Sequence, residues 1–267
     1  MCMIPTEVIL SFVARPACEA IIMPDPGPAA MEHATFAVDI DGTLTEDGGG
    51  GRIHLGALSA LRHLATSGHN VILVTGRSSV EAYMLAVYGG ITRLAVGENG
   101  GCITTGPSEH LLLGDMDVCE RAFEVIGPEF GAVRKGTFPR MTEIVLESTF
   151  DVGAAREFAK KRGLGIGLAD SGYAVHLNPE GIDKESGLRK ALDMLGARGK
   201  VIAIGDSETD VPMFRTADTS IALGNAPPGV RSAATIRTRA EAGDGVVEAL
   251  DLLAPMMARS GEWDTGR

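Results

Sequence analysis

The sequence is poor in several features that mark particular classes of protein. Its four cysteines form no CxxC pair and lie near no histidine cluster, which argues against a disulfide framework or a zinc site and for a reducing compartment. Basic residues are not in excess, since 24 Lys and Arg stand against 35 Asp and Glu, a net charge of −11. That balance argues against a nucleic-acid-binding or anionic-membrane surface. No apolar run is long enough to span a membrane. We therefore expect a cytoplasmic protein with neither nucleic acid nor membrane as a partner.

Apolar residues are abundant, at 45% of 267 residues, enough for a large core in one or two domains. From Thr35 onward, short apolar runs alternate with helical patterns, which predicts a parallel sheet with helices on both faces. The alternation of single strands and helices is interrupted between residues 103 and 179, where two helix–strand–strand patterns predict a small antiparallel α+β domain. We therefore predict an α/β core with a Rossmann-like parallel sheet, formed by residues 35–102 and 180–267, with residues 103–179 inserted into it.

Within the insertion, the pattern predicts helices at about residues 116–126 and 152–162. It predicts strands near residues 130–134, 141–147, 165–169 and 173–177. Residues 1–34 differ in character from the rest. Their apolar stretch is interrupted by charges and has no basic segment before it, so a secretory signal is not expected. We predict that residues 1–34 are disordered or reflect a misplaced start codon, with Met31 as the alternative first residue.

Two aspartates follow the first predicted strand, which runs from Thr35 to Val38. Asp39 and Asp41 are separated by one residue, and Gly42 with Thr43 then gives a sharp turn. The carboxyl ends of strands in open α/β sheets are where ligands bind. Like charges repel at such a place unless a cation or a reaction requires them. The alternative is an acidic turn whose side chains bond only the local backbone.

Two further strand or helix ends carry polar groups. Thr75 and Gly76 follow the strand that ends at Val74, and a hydroxyl with backbone N–H groups there can hold a phosphate oxygen. Capping of the next helix is the simpler role for a lone threonine. Lys184 starts a predicted helix, where it opposes the helix dipole, and a phosphate contact would justify that position. A solvated surface lysine is the alternative.

Asp206 and Asp210 follow another apolar strand, Val201 to Ile204. Together with the first two aspartates, they bring four carboxylates toward one edge of the predicted sheet. Such a cluster is costly without a compensating cation. Ligand sets made of oxygen alone suit magnesium better than zinc. The sequence therefore predicts a Mg²⁺ site at this edge.

The four motifs, in this order, resemble those of the haloacid dehalogenase-like phosphatases. The matching segments are Asp39-Ile40-Asp41-Gly42-Thr43, Val74-Thr75-Gly76-Arg77, Lys184, and Gly205-Asp206 to Asp210. The insertion between the second and third motifs looks like the cap of the Cof and sucrose-phosphate-phosphatase-like branch. Glu98 to Gly101 and Leu223 to Ala226 also resemble segments of that branch. Thr209 departs from the pattern, since the family often has Asn at this position.

The resemblance implies a HAD-like core with a cap and a magnesium-dependent phosphomonoesterase that forms an aspartyl-phosphate. Asp39 would be the nucleophile, and Asp41 would protonate the leaving group and then activate water. The implied substrate contacts are Thr75, Gly76, Lys184 and Asn225. The implied Mg²⁺ ligands are Asp39, Asp41 through its backbone carbonyl, Asp206, and Asp210 directly or through water.

Within that branch, the small insertion and the overall length look most like archaeal-type phosphoglycolate phosphatases. This implies a small phosphomonoester, 2-phosphoglycolate, which would be hydrolysed to glycolate and phosphate. Basic residues at Arg134, Lys135 and Arg140 could counter its carboxylate, and His176 is a further candidate contact. A solvated charge with no substrate contact is the simpler role for each of the four. The alternatives are a sugar-phosphate phosphatase, a phosphomutase of the same superfamily, and a receiver-like signalling module phosphorylated on Asp. A monomer and a homodimer are equally compatible with the sequence.

Overall fold

The computed structural model describes residues 33–46 and 51–258. Residues 1–32 lie outside the described part of the chain, and with them most of the segment predicted to be disordered or artefactual. The described strands are β1 Thr35–Val38, β2 Asn70–Val74, β3 Ala95–Gly97, β4 Cys102–Gly106, β5 Glu109–Leu112, β6 Ile144–Leu146, β7 Ile166–Asp170, β8 Val175–Pro179, β9 Val201–Gly205, β10 Thr219–Ala222 and β11 Ile236–Arg237. The described α-helices are α1 Leu55–Thr66, α2 Ser79–Gly89, α3 Met116–Phe130, α4 Val152–Arg162, α5 Lys184–Leu195, α6 Val211–Thr216, α7 Pro228–Ala233 and α8 Ala242–Ala258. None of these helices is both long and apolar enough to cross a membrane.

Eight strands form one sheet, in the order β11-β10-β9-β1-β2-β3-β4-β5. The neighbours from β11 to β3 are parallel, and β4 and β5 add an antiparallel edge. Strand β1 lies in the middle, where Val38 is opposite Leu73 of β2 and Ile204 of β9. The central strands therefore end at the same edge of the sheet. The predicted α/β fold with a mostly parallel sheet is confirmed.

Both faces of this sheet are covered, because alternate residues of each strand point to opposite sides. On one face, Phe36 and Val38 pack in a buried cluster with side chains of α1, α2 and α8. On the other, Ala37 packs in a cluster with side chains of α5, α6 and α7. A strand buried on both faces must be apolar along its whole length, which is why β1 reads as a continuous apolar run.

The second sheet is small and antiparallel, in the order β6-β8-β7. Helices α3 and α4 contribute to its own buried cluster, with Ile126, Leu146 and Leu177 among the members. We call residues 113–180, which carry these five elements between β5 and α5, the insertion. Its core is separate from the two clusters that flank the large sheet.

Two predictions for this region do not agree with the structure. Residues 103–112, assigned to the inserted domain from the sequence, instead form most of β4 and all of β5 at the edge of the large sheet. The strand predicted near residues 130–134 is wrong, because α3 continues to Phe130 and ends at Gly131, which has a φ of 63°. Only an isolated bridge joins Arg134 to Leu146. Pro128 suggests an earlier helix end from the sequence, since proline lacks the N–H of the helical ladder.

Candidate active site

Three carboxylates meet at the carboxyl edge of the large sheet. Asp39 follows β1, and Asp206 and Asp210 follow the neighbouring strand β9. The backbone N–H of Asp39 donates to the carbonyl of Ile204 at 3.0 Å, so the parallel pairing continues up to the site. One oxygen from each of the three carboxylates can be chosen such that all lie within 4.8 Å of one another. The structure thus brings together three of the four predicted aspartate side chains.

Lys184 lies between two of these aspartates and is not the solvated lysine that the sequence left open. Its Nζ donates to Asp39 at 2.7 Å and to Asp210 at 2.6 Å, and its side chain is 2% exposed. Burial alone would lower the pKa of Lys184, but the charges of Asp210 and Asp39 outweigh burial and raise it, so the side chain is an ammonium ion. Asp183 caps α5 by accepting from the N–H of Ser186 at 2.9 Å. Its carboxylate thus binds a free N–H group at the helix N-terminus, where the positive charge of Lys184 is unfavourable.

The site is short of positive charge even with this lysine. Burial raises the pKa of Asp39 well above its ordinary value, opposed by Lys184 and reinforced by Asp210 and Asp206. Burial, together with the charge of Asp210, raises the pKa of Asp206 to about 7. A hard divalent cation would remove this deficit, and three converging carboxylates are a donor set that suits Mg²⁺. The residues present therefore fit a magnesium ion.

Neighbouring groups hold Asp206 and Asp210 in place. Asp206 accepts from the hydroxyl of Thr43 at 2.8 Å and from the side-chain amide of Asn225 at 2.9 Å. The same amide also donates to the carbonyl of Gly42. Asn225 therefore braces Asp206, and it does not line the cavity that contains Asp39, where the sequence had suggested a substrate contact. Gly42 has a φ of 77°, and a Cβ there would lie 2.2 Å from Asp206, so only glycine fits.

The fourth aspartate, Asp41, has a different partner. Arg77 binds both of its carboxylate oxygens, through Nη2 at 2.6 Å and Nε at 2.7 Å. Arg77 also donates to Glu81 at 3.3 Å. The Asp41 side chain is thus outside the three-carboxylate cluster, which leaves only its backbone carbonyl for the predicted metal contact. Sequence reasoning did not single out Arg77, although it ends the second motif.

The turn after β2 carries the predicted phosphate contacts Thr75 and Gly76. The Thr75 hydroxyl accepts from the backbone N–H of Arg77 at 3.0 Å, which is a local turn contact, and both residues line the cavity beside Asp39. A Cβ at Gly76 would come within 3.1 Å of His176 and 3.2 Å of Asn99. Any larger residue would therefore press on the insertion and on the loop after β3.

The cavity containing Asp39 has a volume of about 300 Å³ and is lined from both sides. The large sheet with its helices and loops contributes one wall, which includes Asp39, Asp41 and Lys184, and the insertion contributes the other. The lining residues from the insertion include Lys135, Phe138, Arg140, Tyr173 and His176. Three of the four candidate basic residues thus line the cavity, whereas Arg134 pairs with Glu120 and lies over the ring of Phe123.

A buried carboxylate that the sequence analysis missed holds part of this wall. Glu143, immediately before β6, accepts from Arg140 at 2.6 Å and from His176 at 3.1 Å. The side-chain amides of Asn99 and Asn178 donate to it at 3.2 and 3.1 Å. Burial alone would raise the pKa of Glu143, but His176 and Arg140 lower it below its ordinary value, so this group is ionised. A glutamate entering an apolar strand is the one sequence signal that could have indicated it.

The loop after β3 connects this network to the large sheet. Glu98 and Asn99 both have left-handed backbone angles, with φ of 55° and 49°. For residues other than glycine, such conformations cost about 1–3 kcal/mol each and persist only where other contacts fix them. Glu98 Oε2 accepts from the N–H groups of Met141 and Thr142 and from the Thr142 hydroxyl, at 2.7–2.9 Å. Glu98 therefore ties the core loop directly to the insertion.

Comparison with known proteins is consistent with this geometry. A sequence profile of the haloacid dehalogenase-like hydrolases matches residues 36–116 and 155–250. A phosphoglycolate phosphatase of Nitrosopumilus maritimus is 53% identical over 230 residues, which cover 85% of this chain and 99% of the relative. A second phosphoglycolate phosphatase, of Methanosarcina acetivorans, is 34% identical over 229 residues, covering 84% of this chain and 97% of the relative.

Among solved structures, a Thermoplasma acidophilum protein superposes with a TM-score of 0.72 and 24% identity, over 84% of this chain and 98% of that one. At that identity the match supports the fold alone. The profile match and the relatives together exclude a receiver-like signalling module. This chain belongs to the haloacid dehalogenase-like hydrolase family and is a phosphatase.

Proposed function

We propose that this phosphatase hydrolyses 2-phosphoglycolate to glycolate and phosphate, with Mg²⁺ bound at Asp39, Asp206 and Asp210. The observation that carries the chemistry is the contact of Asp39 with Lys184, which both line the cavity, beside the carboxylates of Asp206 and Asp210. The relative from N. maritimus, 53% identical, supports the choice of substrate. When bound, Mg²⁺ would offset the negative charge of the carboxylates and of the transferred phosphoryl group.

In the first step, an Asp39 oxygen attacks phosphorus in line with the ester oxygen. The Asp39–phosphorus bond forms, the phosphorus–ester bond breaks, and Asp41 gives its proton to the departing alkoxide. In the second step Asp41 takes a proton from water, which attacks phosphorus and releases Asp39 and phosphate. Lys184 holds Asp39 in place, and the turn of Thr75 and Gly76 supplies donors for the non-bridging oxygens.

Asp41 must lose one of its contacts before it can act as an acid. Arg77 occupies both Asp41 oxygens, so neither is free to carry a proton toward the leaving group. An incoming phosphate beside Thr75 and Gly76 is an anion that competes with Asp41 for this guanidinium. Substrate binding would therefore draw Arg77 away and free Asp41 in the same event.

The substrate is proposed to be small because the space is small. A cavity of about 300 Å³ lies at the lower end of the range for ligand sites. We infer that the insertion, residues 113–180, is the cap that closes this cavity over the leaving group. The buried free thiols of Cys102 and Cys119 suit a reducing compartment, so a cytoplasmic location is part of the proposal. It includes no nucleic-acid or membrane partner and allows a monomer or a homodimer.

The proposal is tested by steady-state phosphate release in Mg²⁺, comparing kcat/KM for 2-phosphoglycolate, hexose phosphates and glycerol phosphate. We expect the highest value for 2-phosphoglycolate, loss of activity in chelator with recovery on adding Mg²⁺, and no turnover by Asp39→Asn. A preference for hexose phosphates would replace the substrate but not the reaction. Transfer of phosphate to a second sugar hydroxyl, without release, would indicate a phosphomutase. Full activity in chelator or in Asp39→Asn would refute the mechanism.

A further inference from the structure

Three basic side chains of the insertion, Arg134, Lys135 and Arg140, differ in their contacts and in whether they line the cavity. Arg134 lies outside the cavity and is paired with Glu120. Lys135 lines the cavity, but its Nζ donates to Glu147 at 3.0 Å. Arg140 also lines the cavity, and only one of its guanidinium nitrogens forms hydrogen bonds with the described residues.

All the hydrogen bonds of Arg140 within the described residues are made by one nitrogen. Nη1 donates to the carbonyl of Gly76 at 2.5 Å and to Glu143 at 2.6 Å. Nε is buried and has no partner among the described residues, and Nη2 donates to none of them. A guanidinium N–H group without an acceptor can donate a charge-assisted hydrogen bond to a carboxylate. Arg77 uses its Nε and Nη2 on Asp41, so of the two arginines that line the cavity only Arg140 has an unpaired Nη2.

The position of Arg140 is fixed by buried groups. Its side chain is only 11% exposed, and the Glu143 side chain that anchors it has no exposed surface. Glu143 is itself held by His176, Asn99 and Asn178, which come from different elements of the insertion and the core. A guanidinium anchored this way keeps one orientation, so its Nη2 is preorganised and little entropy is lost on binding.

Arg140 also lies next to the proposed phosphate position, since the carbonyl it binds belongs to Gly76. In 2-phosphoglycolate a single methylene separates the ester oxygen from the carboxylate carbon. A phosphate held at Thr75 and Gly76 would therefore place such a carboxylate close to the Arg140 side of the cavity.

We propose that Arg140 determines specificity by binding the leaving group's carboxylate through its Nη2, with Glu143 as its positioning residue. This inference rests on the proposed function. It assigns the selection of an anionic leaving group to one side chain of the insertion. Arg134 cannot take that role, because it does not line the cavity.

The test compares kcat/KM for two pairs of esters in Mg²⁺: 2-phosphoglycolate with ethyl phosphate, and 3-phosphoglycerate with glycerol 3-phosphate. Within each pair, the ratio measures the preference for a carboxylate. Arg140→Gln should lower the wild-type ratio roughly 10- to 100-fold, the range expected for lost hydrogen bonds to a charged group. Arg140→Lys keeps the positive charge but lacks the guanidinium. Its ratio should lie between those of the wild type and Arg140→Gln. Arg134→Gln, a matched basic residue outside the cavity, should leave the ratio within about twofold.

Turnover of the ester without a carboxylate in each pair reports that each variant is folded. Equal losses on both members would mean that Arg140 only supports the Gly76 turn, and an unchanged ratio in Arg140→Gln would also overturn the inference. A wild-type preference for 3-phosphoglycerate that Arg140→Gln abolishes would replace the proposed substrate while supporting Arg140. A wild type with no carboxylate preference in either pair would refute both.

Discussion

Lys184→Met tests the charge balance on which the site depends. Methionine keeps most of the length and the apolar stem but removes the ammonium that bonds Asp39 at 2.7 Å and Asp210 at 2.6 Å. The side chain is 2% exposed, so water cannot take the place of the lost charge. Removing one partner of a buried ion pair costs about 3–5 kcal/mol. We expect the free energy of unfolding to fall by about that amount at neutral pH in chelator.

Two conditions should restore part of this loss. Mg²⁺ at about one hundred times its Kd stabilises a folded protein by about 2.7 kcal/mol, and the gain should be larger without an ammonium to repel the cation. Lower pH should help as well. Burial raises the pKa of Asp39 and Asp206 in the folded state, and loss of Lys184 raises it further. A carboxyl that binds its proton more tightly when folded stabilises the fold as the pH falls.

The measurement is urea denaturation of both proteins, followed by circular dichroism, in chelator and in Mg²⁺, at neutral and mildly acidic pH. Lys190→Met is the control, since Lys190 is an exposed lysine on the same helix. The reasoning is refuted if Lys184→Met is as stable as Lys190→Met in chelator. It is also refuted if Mg²⁺ stabilises the variant no more than the wild type.

Three further substitutions test separate parts of the site. Asp41→Asn should slow hydrolysis of alkyl esters by roughly 10²–10⁴-fold, as expected for a lost general acid, and should slow aspartyl phosphorylation from p-nitrophenyl phosphate much less in stopped-flow assays. Asp206→Ala should weaken Mg²⁺ affinity, measured by calorimetry, more than Asp210→Ala does. Asp210→Ala should instead lower the free energy of unfolding more, because Asp210 accepts from the N–H groups of Asp206 and Ser207. Glu143→Gln should destabilise the fold by about 3 kcal/mol at pH 7, because it leaves the largely buried guanidinium of Arg140 without its counter-charge. That loss should shrink as the pH falls below the ordinary carboxyl pKa of 4.5, since the lowered pKa stabilises the fold only while Glu143 is ionised.

The core of the fold could be predicted because its signals are local. Strand β1 was predicted with its observed bounds, since a strand buried on both faces is apolar throughout and ends where Asp39 begins. The edge hairpin of β4 and β5 could not be assigned in the same way. Strand β5 is largely exposed and carries Glu109 and His110, so its sequence does not distinguish an edge strand from the start of an insertion.

The same contrast holds within the site. Asp39, Asp206 and Lys184 each stand at a strand or helix end and could be found by position. Three of the four donors to Glu143 come from distant segments and only Arg140 is near in sequence, so no window of sequence contains the reason for its burial. The Asp41 contact with Arg77 is likewise thirty-six residues apart and depends on the β1–β2 pairing. Interactions of this kind follow from the assembled fold and not from local patterns.

The three hydrogen bonds that Glu98 accepts from Met141 and Thr142 have a consequence for building chimaeric enzymes. The insertion cannot be exchanged on its own, because its residues Met141 and Thr142 donate the hydrogen bonds that the core residue Glu98 accepts. A graft from a relative with a different turn would leave that buried acceptor without donors, at a cost of about 1–3 kcal/mol. Glu98 would then lack the contacts that hold its left-handed backbone in place. A chimaera designed to change substrate specificity must therefore take the loop of residues 97–101 from the same relative as the insertion.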